Sequence, residues 1–306
     1  MTIDPQAKVV PDLLAAIGFT FGGTEPAALR ESMALGNTPS PIELAEITDR
    51  TVPGPAGDIP VRIYRPSTEP GLPVVVFFHG GGWVVGDLES HDHAARAIAS
   101  KADCVVVAVD YRLAPEHKFP AAADDAWAAT EWVATHAAEL GVDASRLAVA
   151  GDSAGGNLAA VVANLSRDVA HVEVIHQALI YPVTDATCDR PSMTENAEGY
   201  MLTADGMAWF HGHYAADADD FADPRYSPLF DELAGAAPAI VITAGFDPLR
   251  DQGVAYATAL GDAGVEVEYV NYETMFHGFF TMDQAIDVAA EAQDAVAASL
   301  KAAFAR

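Results

Sequence analysis

Uninterrupted apolar or β-branched runs recur along the chain at residues 74–78, 104–109, 147–150, 174–181 and 239–243. Most lack the polar alternation of a half-wetted strand, so they suit strands covered on both faces of a parallel sheet. Between them, residues 121–136, 154–166, 252–261 and 284–304 read as helices. Strand and helix in alternation predict an α/β fold, a mostly parallel, doubly wound sheet with right-handed crossovers. Both sheet edges are also legible. Residues 46–64, broken by Pro53, Gly54, Pro55 and Gly57, predict two antiparallel strands joined by a turn. Residues 265–271 alternate Val265, Val267 and Tyr269 with Glu266 and Glu268, a period of two that suits a strand with one wet face.

Two regions break the alternation: residues 1–45, and residues 185–225 with a short aromatic helix at 206–214. Both are expected to fold over one end of the sheet as a helical cap. The chain then divides into cap pieces 1–45 and 185–225 and core pieces 46–184 and 226–306.

Composition narrows the function classes. Of 306 residues, 51% are hydrophobic and 20% charged, which excludes a disordered or fibrous chain. Sixteen Lys and Arg against 44 Asp and Glu give a net charge of −28. Such a field repels phosphate backbones and anionic lipid, so neither nucleic acid nor membrane is an expected partner. Acidic runs such as residues 217–220 read as solvated surface, with tolerance of high salt as the sharper alternative. Cys104 and Cys188 are too few for a disulfide framework, and no stretch approaches a bilayer-spanning length, so a cytoplasmic location is expected.

The candidate chemistry begins at Gly151-Asp152-Ser153-Ala154-Gly155, between the apolar run 147–150 and a helix. A Ser on a sharp strand-to-helix turn projects above the sheet, and glycines flank it because a Cβ there would clash with neighbouring elements. Ser153 is the candidate nucleophile. His79-Gly80-Gly81-Gly82-Trp83 follows the run 74–78, and glycines let backbone amides approach a developing oxyanion. The amides of Gly80, Gly81 and Ala154 are the expected donors, with His79 as a structural residue. His277 lies at the carboxyl end of the last strand, after a short loop, and is the candidate base. Asp247 follows the run 239–243 and precedes His277, giving the order Ser, Asp, His. Asp251, one helical turn on, is the alternative orienting carboxylate, while Asp152 is read as a brace between loops. The His91/His93 and His211/His213 pairs lack an evident third metal ligand.

Together, HGGGW at residues 79–83, DYRLAPEHKFPAA at 110–122, GDSAGGN at 151–157, DPLRD at 247–251 and HGF at 277–279 resemble the hormone-sensitive-lipase-like family of α/β-hydrolases, particularly its GDSAG-type bacterial esterases. The resemblance implies an α/β-hydrolase fold and a serine carboxylesterase acting on short- to medium-chain acyl esters. Its triad would be Ser153, Asp247 and His277, with no metal or organic cofactor. It also implies cis geometry among the Ala114-Pro115 and Phe119-Pro120 bonds; the residues themselves read as a loop stiffened by Pro115 and Pro120, with Glu116 as a hydrogen-bond anchor. The apolar pocket would draw on Trp83 and Tyr181 from the core, and on Tyr200, Met201, Leu202, Met207, Phe210 and Tyr214 from the cap. The small-molecule ester is the expected partner, and the edge strand at 265–271 suggests a possible homodimer. A non-catalytic small-molecule receptor on the same fold, or a related amidase or dehydratase, are the alternatives.

Overall fold

The apolar runs become the middle of one eight-stranded sheet. The computed structural model describes residues 2–35 and 39–306, so residues 1 and 36–38 of the first expected cap piece lie outside it. The strands are β1 (Glu46–Gly54), β2 (Gly57–Arg65), β3 (Leu72–Phe78), β4 (Val105–Val109), β5 (Val142–Asp152), β6 (Val174–Ile180), β7 (Ala239–Phe246) and β8 (Val267–Phe276). Their order is β1-β2-β4-β3-β5-β6-β7-β8. The first hairpin turns at Pro55 and Ala56, since Gly54 pairs with Gly57, and β2 runs antiparallel to β4; the remaining pairs are parallel.

The helices are α1 (Pro5–Ala16), α2 (Pro26–Ala34), α3 (Asp92–Ala102), α4 (Ala121–Thr135), α5 (Ala137–Leu140), α6 (Ala154–Ser166), α7 (Pro191–Glu195), α8 (Ala204–Tyr214), α9 (Arg250–Asp262) and α10 (Asp287–Phe304). Successive residues of a strand face opposite sides of the sheet, so a run such as β3 is apolar throughout only when both sides are covered. Val74, Val76 and Phe78 pack with residues of α4, α6 and α9, while Val75 and Phe77 pack with residues of α3 and α10.

The last strand differs from expectation. Val265 gives its amide to Leu260 and closes the end of α9, so β8 begins only at Val267. At its other end β8 runs to Phe276, directly against His277, with no loop between them. Helix α10 begins at Asp287, later than residue 284, because the Ile286 amide turns back to Met282 and the Asp287 amide is taken by the Gln6 side chain.

Helix α2 is held against the core by Arg30. Its guanidinium donates to Val84 O and Ala114 O at 2.7 Å each and to both Glu116 carboxylate oxygens at 2.8 Å each. That bidentate pairing holds the Glu116 carboxyl down to about 2. The Ala114-Pro115 and Phe119-Pro120 bonds in this loop are both cis.

Candidate active site

Strands β5, β7 and β8 deliver their next residues to the same end of the sheet. Phe246 pairs with Phe276 in the β7/β8 register, so Asp247 and His277 follow paired positions on adjacent strands. Ser153 follows β5 with φ 55° and ψ −116°, a backbone conformation that is costly for a residue with a side chain and is enforced by its neighbours. A Cβ at Gly155 would run into the Phe78 carbonyl, and one at Gly151 would meet Gly155 itself. Glycine at both positions lets the strand and helix close up and thrust Ser153 outward.

His277 Nε2 stands 2.9 Å from Ser153 Oγ, and His277 Nδ1 stands 2.8 Å from Asp247 Oδ2. All three side chains are buried. The other Asp247 oxygen accepts the Leu249 amide at 2.7 Å, so the carboxylate caps the following turn while facing the imidazole. Asp251 is occupied elsewhere: it accepts the Ser192 amide and pairs with Arg250.

The glycine turn corrects the expected donor set. Gly80 gives its amide to Asp152 Oδ1 at 2.9 Å, so it does not face the cavity as a donor. Its lack of a side chain serves packing, because a Cβ there would overlap the Asp152 carboxylate. The next two peptides are held at their carbonyl ends. His79 Nδ1 donates to Gly80 O at 2.7 Å, and Gly81 O accepts the Val84 and Val85 amides at 3.1 and 2.9 Å. In a planar trans peptide the N–H points opposite the C=O. The amides of Gly81 and Gly82 therefore face away from these anchors, and with Ala154 they have no hydrogen-bond acceptor among the described residues. Gly82 presents an unbonded amide that sequence reasoning did not select; the third glycine of the run was its signal.

His79 itself is structural. It stacks on Tyr111 with ring centroids 4.3 Å apart, and burial pushes its imidazole down to about 4. The histidine pairs do not converge on an ion: His93 bridges Ser40 and Asp283, and His211 bonds Tyr226 and Cys188. Among the described residues no cluster of three or more His, Cys, Asp or Glu is arranged to hold a metal.

A cavity of about 280 Å³ opens over Ser153 and His277. Trp83, Met201, Leu202, Met207 and Phe210 are among its lining residues. Tyr181, Tyr200 and Tyr214 are not. Tyr181 packs beneath the His277 ring at 4.6 Å, Tyr200 lies against Phe246 at 4.9 Å, and Tyr214 stacks on Trp83 at 4.3 Å. Tyr181 and Tyr214 thus stand behind His277 and Trp83, which line the cavity in their place. Phe21 and Met33, from the N-terminal segment, line the cavity without having been singled out in the sequence, where their apolar neighbours give them no distinguishing signal.

A family model described as alpha/beta hydrolase fold matches residues 75–281. The chain is 45% identical over 309 residues to carboxylesterase NlhH of Mycobacterium tuberculosis, covering 99% of this chain and 96% of that protein. It is 46% identical over 240 residues to an ethyl acetate hydrolase of Pseudomonas putida, covering 76% and 75%. A hyperthermophilic esterase from the archaeon Pyrobaculum calidifontis superposes with a TM-score of 0.94 at 43% identity, with 99% of each chain covered. Sheet order, site geometry and these likenesses agree: the chain belongs to the hormone-sensitive-lipase-like family of α/β-hydrolases and is a carboxylic ester hydrolase.

Proposed function

We propose that the protein hydrolyses short- to medium-chain acyl esters through an acyl-enzyme on Ser153. His277 takes the Ser153 proton as Oγ attacks the ester carbonyl, and Asp247 holds the imidazole in the required tautomer and stabilises its charged form. The Gly81, Gly82 and Ala154 amides receive the oxyanion, each worth about 3–4 kcal/mol to the transition state. The His277 proton leaves with the alcohol. Water, deprotonated by the same imidazole, then releases the acid and restores Ser153.

The observation that carries this reading is the continuous Ser153–His277–Asp247 hydrogen-bond chain, at 2.9 and 2.8 Å, beneath a mainly apolar cavity. The apolar lining of the cavity, about 280 Å³, supports an acyl group as its occupant. The segments that supply Phe21, Met33, Leu202 and Phe210 act as its cap. A chromogenic butanoate ester tests the reading: the wild-type protein turns it over, and Ser153→Ala does not. Equal turnover by the two proteins would overturn it.

A further inference from the structure

Three consecutive glycines give the backbone at residues 80–82 more conformational freedom than any other sequence, yet oxyanion donors act only when fixed in advance. Some other group has to hold this turn. The peptide between His79 and Gly80 is pinned at both ends: Tyr111 Oη donates to His79 O at 2.7 Å, and the Gly80 amide donates to Asp152 Oδ1 at 2.9 Å. Of these anchors, Asp152 alone belongs to the strand that carries Ser153.

Asp152 would otherwise be an awkward neighbour. It is a buried carboxylate adjacent to a centre that develops negative charge, where an unpaired anion is costly. It is paired, however, from the cavity side: His91 Nε2 lies 3.4 Å from Asp152 Oδ1 and 3.2 Å from the Gly80 amide. His91 Nδ1 is in turn 3.0 Å from Ser90 Oγ, which orients the ring. Burial opposes the charge on Asp152, but the surrounding imidazoles, His91 foremost, hold its carboxyl below the ordinary value. Ser153 is thus flanked by two acid–imidazole pairs, Asp247 with His277 and Asp152 with His91.

We propose that Asp152 and His91 are positioning residues for the oxyanion turn: the carboxylate ties Gly80 to the nucleophile strand, and the imidazole closes that tie against the cavity. Nucleophile and oxyanion donors are thereby fixed to one another. The inference rests on the Ser153 mechanism proposed above, and its test separates the two.

The experiment compares Asp152→Ala, Asp152→Asn and His91→Ala in the full chain, reading kcat and KM on the butanoate ester, the rate of Ser153 labelling by a fluorophosphonate, and thermal stability. Asp152→Ala is expected to lower kcat about 100-fold with KM changed less than about threefold, and to slow labelling in parallel. Asp152→Asn, whose amide oxygen still accepts from Gly80, is expected to recover kcat to within about fivefold of wild type. His91→Ala is expected to fall between them, about tenfold down in kcat. Undiminished kcat in Asp152→Ala, or Asp152→Asn as slow as Asp152→Ala, would overturn the proposal. If Asp152→Ala does not fold, His91→Ala with kcat unchanged overturns it instead. Failure of the wild-type protein to label at Ser153 would instead remove the underlying mechanism.

Discussion

The floor and the roof of the cavity are built differently. The floor consists of Gly81, Gly82, Ser153 and His277 at the ends of β3, β5 and β8, and its positions are set by backbone hydrogen bonds and by close approaches that only glycine permits. The roof consists of Phe21, Met33, Leu202, Met207 and Phe210, side chains from two segments outside the sheet, meeting through apolar contacts such as the Phe21–Phe210 pair at 5.2 Å. Hydrogen-bonded backbone has few ways to rearrange, whereas apolar contacts are non-directional and can repack. On the proposed mechanism the floor therefore governs whether the reaction occurs, and the roof governs which ester fits.

The largest break in that contrast is expected at the floor's orienting carboxylate. Asp247→Asn should lower kcat about 10,000-fold with folding retained, because the wrong imidazole tautomer then faces Ser153; steady-state kinetics beside a thermal melt check both halves. Next comes Gly155→Ala, where the new Cβ meets the Phe78 carbonyl, a backbone atom that cannot swing aside. A loss of more than about 4 kcal/mol in denaturant unfolding is expected, and a small loss would show that the elbow tolerates repacking.

A third effect lies beside the floor's strands, at the end of β4. Burial, with the nearby Asp87 carboxylate, pushes the Asp110 carboxyl up to about 6, and it makes no side-chain hydrogen bond or ion pair among the described residues. A carboxyl whose folded value is raised favours its neutral form in the fold, so stability is lost as pH climbs from about 4 to about 6 and stays lost above. Asp110→Asn should therefore raise stability at pH 7 by up to about 3 kcal/mol, with the gain gone below pH about 4. A pH-independent gain would point to packing.

The smallest effect belongs to the roof. Phe210→Ala should raise kcat/KM for hexanoate relative to acetate esters about tenfold, as expected for a few methylenes of added apolar contact, while acetate turnover changes little. Loss on both substrates alike would mean that the ring also braces the floor through Gly82, against which it packs.

Much of this arrangement was legible along the chain, for identifiable reasons. Runs such as 74–78 and 239–243 announce buried parallel strands because both of their faces must be apolar. Gly151 and Gly155 around Ser153 announce a turn too tight for side chains, and Asp247 and His277 stand next to strand ends. Helix α3 was harder to read, since its buried face is largely Ala94, Ala95 and Ala99, which contrast weakly with polar neighbours. Gly80 and Gly82 could not be distinguished locally, because which glycine amide faces the cavity depends on Asp152, 72 residues away, taking the first. Likewise Tyr181, Tyr200 and Tyr214 carry the composition of a pocket wall, and only packing turned their rings toward His277, Phe246 and Trp83.

By itself the sequence determined which strands are buried, where the tight strand-to-helix turn falls and which candidate acids and imidazole stand at strand ends, because periodicity and glycine spacing are properties of neighbouring residues. Only the tertiary structure decided which glycine amides lack an acceptor, the second acid–imidazole pair and the membership of the roof. Those depend on which way a peptide plane or an aromatic ring faces, and that direction is set by partners distant along the chain.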